Sequence, residues 1–486
     1  MKTLLTIGAL VVLAAVSYYY FTLRDEKRGA QSIAIVPFQN ISNSSDQDFL
    51  VDGLTEGILN SLSRQEGITV TARTSSFKFR GSDADIEEIA KKLGVRVLVD
   101  GSARIEGDSI TIMVRLINAE DKMNLWSNRY EGQTEDIFAL QDKIANSIAG
   151  ALLPSSRRVV TKGTSNKEAR ELYLKGRAFW NLRTQKDLLN GVEMFEQAII
   201  EDPEFGAAYA GLADCYTALG YASFLAPKES FPKAFEAASK ALQLDSTLAE
   251  AHATLGYYKF YHEWDWAEAE QEFRKAISLN PNHELVYDWY GYYLTAMQRY
   301  DEARIVFGKA ITLDPLSPGI ATDMGFTFYY DKQYDQAATA LEAALELNPK
   351  FPLGRLWLGR VYQAKKMYNE AIAEYKQAID ATSRWPVAFA QIGNAYGVSG
   401  DHAHARAILD SLNKMRTDKF VTSYGMALVY AGLGDKDQTY QWLNRAYEER
   451  SHWLVWIKSD PRWDSFRSDP KFAELEARIS LPQASE

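Results

Sequence analysis

A period of 34 residues in the second half of the chain constrains its fold more than any other feature. Proline follows Asn or Asp at that spacing, in Asn280-Pro281, Asp314-Pro315 and Asn348-Pro349. Each unit carries a glycine in its first helical stretch and two alanines in its second, at Gly256, Gly291, Gly325, Gly359, Ala269, Ala303, Ala337, Ala371, Ala276, Ala310, Ala344 and Ala378. A unit this short cannot bury its apolar face alone, so neighbouring units must stack into an array.

This pattern resembles the tetratricopeptide repeat, in which each unit is a pair of helices. Less regular units flank the four clearest ones, so we expect about eight repeats over residues 169–450. Residues 451–486 are then a C-terminal capping segment that covers the last exposed face. The resemblance implies an all-α right-handed superhelix whose first helices line an inner groove.

Projection of the first helices predicts an aromatic inner face. Aromatic anchors with a few polar groups suit an extended peptide or a partner helix. The alternative is that several of these rings pack between units. The candidate partner-binding residues are Tyr257, Phe260, Tyr261, Asp288, Tyr292, Phe326, Tyr329, Tyr330 and Arg360. The Lys and Asn clamp of the chaperone-binding version of this fold is absent, since Tyr257, Tyr292 and Phe326 stand at the corresponding inner positions.

Residues 31–153 predict a separate, small α/β domain, which makes the chain α+β overall. Apolar runs and alternations give the order strand, helix, strand, helix, hairpin, strand, helix, and therefore a sheet with helices on its faces. The runs at 32–38, 52–56, 71–77, 93–102 and 136–142 resemble the TolB amino-terminal-like domain, which is similar to FlgO and to the periplasmic part of CadC.

Proteins with this domain resemble membrane-integrated CadC-type transcription activators or adenylate cyclases. Those proteins carry a cytoplasmic winged-helix or cyclase domain, and tetratricopeptide repeats often follow the TolB-like domain. This sequence has no such domain before Lys2. This departure removes the output by which the family is best understood, so a signal-sensing role would need a separate output protein.

The first thirty residues predict a transmembrane signal-anchor. Residues 3–23 carry no charge and match the about 20 residues that a helix needs to cross a bilayer. Tyr18, Tyr19, Tyr20 and Phe21 close this run as interfacial aromatics do. A cleaved signal peptide is the competing interpretation. We expect a single-pass protein of the inner, cytoplasmic membrane with most of the chain in the periplasm, and a basic linker at 154–168.

The residue types that carry chemistry are sparse. Cys215 is the only cysteine, which excludes an internal disulfide and a thiolate zinc site. Asp52 and Glu56 are spaced for one helix face, and His402 and His404 form an H-x-H pair. Stabilisation of a helix start and a solvated turn are the better explanations of these two pairs. We therefore expect no enzyme activity, no metal and no cofactor.

The net charge of −10 argues against nucleic-acid binding. Most of the excess negative charge falls in the repeat array, which favours basic or neutral partner segments. The sequence thus favours a membrane-anchored scaffold that binds a protein or peptide in its groove. The alternative is a signal-sensing or regulatory subunit whose α/β domain binds a ligand or a sensor partner. The oligomeric state is left open.

Overall fold

The structure, a computed structural model, describes residues 31–42, 47–153, 160–382 and 384–479. The predicted anchor at 3–23 and part of the basic linker lie outside the described residues. Within the described ranges, no helix combines the length and the apolar character that crossing a bilayer requires. The chain divides into two compact units, residues 1–161 and 162–486.

Unit 1 is built on a mixed sheet, as the apolar runs predict. The strand order is β3-β1-β4-β5-β6, and the short β2 pairs with β4. β1 runs parallel to β3 and β4, whereas β4, β5 and β6 form an antiparallel meander. The strands are β1 Gln31–Ile35, β2 Gln39–Asn40, β3 Ile68–Val70, β4 Val97–Glu106, β5 Ser109–Asn118 and β6 Asn124–Gln133.

Alternation along β4 and β5 buries one face of this sheet under two long helices. Val99, Ile112 and Val114 are fully buried, whereas Arg104 and Arg115 on the other face are exposed. The helices of unit 1 are α1 Asp48–Ser63, α2 Arg73–Ser76, α3 Ile86–Leu93 and α4 Ile137–Leu152, with a 3₁₀ turn at Phe77–Phe79. The sequence run at 68–73 predicts the second strand of the expected order, but this strand, β3, ends at Val70. The chain turns into α2 at Arg73, whose guanidinium pairs with Glu56 on α1 at 3.0 Å.

Unit 2 contains eight helix pairs within its described residues, in agreement with the repeat count from spacing. They are α5 Lys167–Leu182, α6 Gln185–Glu201, α7 Gly206–Tyr221, α8 Pro227–Leu244, α9 Ala249–Tyr258, α10 Trp266–Leu279, α11 Glu284–Ala296, α12 Tyr300–Leu313, α13 Pro318–Tyr330, α14 Tyr334–Leu347, α15 Pro352–Ala364, α16 Tyr368–Asp380, α17 Pro386–Val398, α18 His402–Met415, α19 Ser423–Gly432 and α20 Lys436–Glu448. Successive first helices contact one another, which places them in one inner layer.

The repeat glycines allow the two helices of a pair to touch. A Cβ atom on Gly291 would lie 2.5 Å from the ring of Phe307, and one on Gly359 would lie 2.5 Å from the ring of Tyr375. Both rings are fully buried. Phe307 and Tyr375 each follow the first repeat alanine by four positions. The repeat glycine and this aromatic residue therefore form one contact between the two helices of a repeat.

One extra residue distorts the third repeat. Gly256 and Ala269 are 13 positions apart, whereas Gly291 and Ala303 are 12 apart. The structure absorbs the insertion as a π-helical turn at Lys259–Glu263, directly after α9. Trp264 then takes the left-handed conformation, with φ 63°, that ends the first helix of most repeats. Such π turns are frequent at functional sites.

The C-terminal segment differs from the expectation that it only caps the array. Its last helix, α21 Pro470–Ile479, does lie against α20, since Arg478 stacks on Tyr447 and donates to Asn444. Residues 452–463, with 3₁₀ turns at His452–Trp456 and Pro461–Trp463, instead enter the inner face of the array. We call residues 452–463 the inner segment. Three tryptophans make this segment too apolar to remain in solvent as a surface cap.

Candidate partner-binding groove

The nine residues predicted to face the groove all lie on first helices or on the π turn, and all are buried. Tyr257, Tyr292, Phe326 and Arg360 each directly follow a repeat glycine, which gives them the same position in successive repeats. Each of the nine side chains is less than a tenth exposed: Tyr257, Phe260, Tyr261, Asp288, Tyr292, Phe326, Tyr329, Tyr330 and Arg360. No open aromatic surface therefore lines the inner face at these positions.

Trp456 of the inner segment fills the middle of the groove. Its ring lies 4.8 Å from Phe326 at an interplanar angle of 90° and 5.0 Å from Tyr330 at 23°, measured between centroids. Phe260 and Tyr261 on the π turn approach it at 6.1 Å and 6.3 Å. Edge-to-face and offset contacts of this kind add to the gain from burial. The extra residue in repeat three thus helps to build the cage around Trp456.

The inner segment begins at a buried imidazole. His452 is 1% exposed, and the rings of Tyr221, Phe231 and Tyr261 lie 5.8 to 6.3 Å from it. Neither ring nitrogen has a hydrogen-bond partner among the described residues. Burial lowers the pKa of His452 to about 3, so the imidazole is neutral at physiological pH.

The inner segment ends in an ion pair that the array holds. Arg462 donates from Nε to both carboxylate oxygens of Asp460, at 2.9 and 3.1 Å, and Asp460 is fully buried. The hydroxyls of Tyr329 and Tyr424 each donate to Asp460 at 3.4 Å. Burial disfavours the charged carboxylate, but the charge and hydrogen bonds of Arg462 outweigh it and hold the pKa of Asp460 below its usual value.

Arg360 is a buried cation with incomplete hydrogen bonding. Its guanidinium lies 4.0 Å from the ring of Trp357 and 5.3 Å from the ring of Trp453. Nε donates to Gln391 Oε1 at 3.2 Å. Neither Nη1 nor Nη2 has a partner among the described residues. Burial, and then the nearby charge of Arg462, lower the pKa of Arg360.

A pair of carboxyl groups lies deeper in the same interior. Asp288 and Asp323 are each 6% exposed and hydrogen-bond to one another, which requires a proton on one of them. Tyr292 also bonds to Asp323, and the Tyr221 hydroxyl donates to that of Tyr292 at 3.2 Å. Burial raises the pKa of Asp288 to about 7 and raises that of Asp323 well above its usual value.

Contacts between distant repeats enclose the inner segment. Trp385, before α17, donates from Nε1 to the carbonyl of Ala222, after α7, at 3.2 Å. Trp264 of repeat three lies 5.3 Å from Tyr447 of repeat eight, and Arg450 stacks on Trp264 at 4.3 Å. The sequence shows neither contact, because the partners are more than 150 residues apart.

The other sequence candidates take structural roles. Asp52 and Glu56 both lie on α1, where Asp52 pairs with Arg80 and Glu56 pairs with Arg73. His404 bonds to Asp401 at 2.7 Å, and Asp401 also caps the start of α18. Cys215 is fully buried among apolar side chains. Each of these groups thus has a partner or a packing contact of its own.

Sequence reasoning missed the residues that hold the inner segment. Tyr221 and Gln391 contact the inner segment through His452 and Arg462. Asp323 and Trp357 contact the predicted residues Asp288 and Arg360 instead. Trp456 and Asp460 come from the C-terminal segment itself. The 13-residue gap between Gly256 and Ala269 was one readable signal of an irregular repeat. The density of tryptophan in 453–463 was a second, since a solvated cap has no use for three such rings.

Comparison with known families supports the two-part architecture. Residues 29–147 match the family described as HilA/YgeH-like transcriptional regulator, second domain. Residues 286–315 and 328–388 match tetratricopeptide repeat families, which confirms the repeat prediction. The chain contains tetratricopeptide repeats. The first match covers the region whose motifs resemble the TolB amino-terminal-like domain, under a different family description.

Two curated relatives share part of the chain. A Rhizobium meliloti protein named putative adenylate cyclase 3 is 31% identical over 237 residues, which are 46% of this chain and 39% of that protein. The Salmonella typhimurium transcriptional regulator HilA is 24% identical over 279 residues, which are 56% of this chain and 49% of HilA. The chain therefore spans between about two fifths and one half of the length of these relatives.

A solved structure, from work on pilF of Pseudomonas aeruginosa, is similar to 43% of this chain. It is 23% identical, 93% of it is covered, and the TM-score is 0.32.

The buried carboxyl pair predicts a pH-dependent stability. The folded state keeps the proton of Asp288 between about pH 4, the ordinary Asp value, and about pH 7, while the unfolded state loses it. The free energy of unfolding therefore falls as the pH rises through this window. Asp288→Asn removes the carboxyl and should gain stability relative to the parent between pH 5 and 8, by on the order of a few kcal/mol. Urea unfolding of both proteins at each pH measures the difference.

The matched control is Asp410→Asn, because Asp410 is exposed on α18. Its stability should follow that of the parent at every pH. Parallel curves for Asp288→Asn and the parent would contradict the assignment of the titration to the buried pair.

Proposed function

We propose that the chain is a membrane-anchored, non-catalytic scaffold whose repeat array binds a protein partner through a short aromatic segment. The aromatic segment belongs to the partner, and it displaces residues 452–463 from the groove. The observation that carries the proposal is the inner segment itself, which the array holds through Trp456 and the Asp460–Arg462 pair. A groove that encloses a short non-helical segment of its own chain has the chemistry to accept a similar segment from another protein.

The inner segment is an imperfect occupant of the groove. It buries the imidazole of His452 with both nitrogens unpaired among the described residues. A buried polar group without a hydrogen bond costs about 1–3 kcal/mol. A partner segment that places an apolar side chain at this position avoids that cost. Exchange between the inner segment and a partner is therefore energetically reasonable.

The names of the relatives support a regulatory setting for this scaffold. One is called a transcriptional regulator and the other a putative adenylate cyclase. A second candidate function follows, in which the chain is a regulatory subunit that signals through a separate output protein. The HilA-like match over the α/β region favours this candidate. The identity of a partner captured at the groove distinguishes a general scaffold from such a subunit.

Residues 3–23 supply the proposed membrane anchor, with the remainder of the chain in the periplasm. The support is the uncharged run of spanning length in the sequence.

The full-length protein should stay with the membranes after alkaline carbonate extraction, and a variant without residues 1–30 should not. Protease added to spheroplasts should degrade the repeat array. Release of the full-length protein by carbonate would contradict the membrane anchor. Protection of the repeat array from protease would contradict the proposed orientation.

Photo-cross-linking in native membranes tests the partner proposal. A benzophenone amino acid in place of Tyr261 lies beside His452 and Trp456 and should form intrachain adducts with 452–456 in the parent. Trp456→Ala weakens the inner segment, so the adduct with a partner should increase at the expense of the intrachain adduct. Mass spectrometry of the adducts identifies both the partner and the segment that enters the groove.

The matched control places the same amino acid at Ile305, which is 59% exposed on the outer helix α12. Its adducts should not change with Trp456→Ala. Intrachain adducts alone at position 261, in both the parent and Trp456→Ala, would overturn the proposal that the groove accepts a partner.

A further inference from the structure

Arg360 forms no hydrogen bond or ion pair with a carboxylate among the described residues, although it is almost completely buried. It is 1% exposed, and Nη1 and Nη2 are both unpartnered among the described residues. Uncompensated buried charge is strongly unfavourable, and most buried arginines meet a carboxylate. The stacked rings of Trp357 and Trp453 stabilise the cation in part and fix the plane of the guanidinium. Its two amino groups are thus held in place with hydrogens to donate.

The inner segment supplies an anion that attracts Arg360 but does not hydrogen-bond to it. Its carboxylate, Asp460, is taken by Arg462 through Nε and Nη2. Arg462 then adds a second cation near Arg360, because both guanidinium groups donate to Oε1 of Gln391. Two cations on one acceptor repel one another. The groove is therefore electrostatically mismatched with its own segment at this point.

The acidic groups on neighbouring elements do not resolve the mismatch. Asp288 and Asp323 bond to each other, with Tyr292 adding a bond to Asp323. Tyr329, Tyr424 and the backbone of 462 complete the shell of Asp460. Arg360 forms no ion pair or hydrogen bond with a carboxylate among the described residues. The unused donors of Arg360 point to an anion that comes from outside the chain.

We propose that the partner segment carries an acidic side chain that pairs with Arg360, next to an aromatic side chain that replaces Trp456. This inference rests on the proposed function and specifies its ligand. A planar guanidinium with both amino groups free suits a bidentate carboxylate. The net negative charge of the array favours basic or neutral segments, and Arg360 is a local exception to that expectation.

Peptides based on residues 451–463 test the inference, because Trp453 is the inner-segment residue that stacks on Arg360. The receptor is the full-length protein with Trp456→Ala, which loosens the inner segment. The probes are the fluorescent peptide with Trp453→Glu and its neutral match with Trp453→Gln; both keep Trp456. A charged hydrogen-bonded pair predicts about 10- to 100-fold tighter binding of the Glu peptide.

A second receptor isolates Arg360. Adding Arg360→Gln to the Trp456→Ala protein should reduce the ratio of the two affinities to about 1, since the cation is gone. Should this double variant fail to fold, Arg360→Lys replaces Arg360→Gln in the same receptor. Lysine keeps the charge but lacks the planar pair of amino groups, so the ratio of the two affinities should fall without reaching 1.

The outcomes separate this inference from the proposed function. Equal affinities of the Glu and Gln peptides would overturn the acidic-partner inference and leave a groove that accepts aromatic segments. Absence of binding by both peptides, with the receptor folded by circular dichroism, would count against the proposed function itself. Tighter binding of the Glu peptide that survives Arg360→Gln would assign the carboxylate to another residue and contradict the role of Arg360.

Discussion

The packing of residues 452–463 inside the groove of the repeat array depends on the burial of Trp456. Its ring contacts Phe260, Tyr261, Phe326 and Tyr330, which come from two different repeats. Removing a fully buried tryptophan of this kind costs about 3–5 kcal/mol, a large part of the stability of an ordinary domain. The same ring therefore fills the inner face and ties the C-terminal segment to the third and fifth repeats.

Charged groups inside the groove favour one arrangement of the inner segment, but their burial lowers the stability of the folded array. The Asp460–Arg462 pair is satisfied on all sides by Tyr329, Tyr424 and Gln391. Arg360 and the Asp288–Asp323 pair are not compensated to the same degree. Buried ions of this kind add little net stability, but the satisfied pair sets where the inner segment sits. The uncompensated groups mark where a different occupant can bind better.

The sequence predicts the repeats well because their contacts are local. Gly291 with Phe307, and Gly359 with Tyr375, lie within one repeat, so the 34-residue period records them directly. The α/β unit is also readable, since alternation along β4 and β5 marks the buried face. The placement of the nine inner residues on first helices follows from the same period, whereas their burial does not.

Burial of those residues could not be read from the sequence because it depends on contacts across the array. Trp456 meets Phe326 from 130 positions away in the chain, and Trp385 meets Ala222 from 163 positions away. No periodicity encodes such a contact. The last helix lies against α20, where the sequence leads one to expect a capping segment. Residues 452–463 instead pack on the larger apolar surface of the inner face, which the repeat period does not reveal.

Amide hydrogen exchange of the full-length protein tests most directly whether the groove is closed by residues 452–463. The amides of Ile457, Asp460 and Trp463 are bonded within the segment and buried with it. Burial of the inner segment predicts that peptides covering 452–463 are protected to a degree comparable to α13 and α15. In Trp456→Ala this protection should be lost, while α13 and α15 stay protected. Exchange of 452–463 within seconds in the parent protein would contradict the account, because the segment would then lie outside the groove.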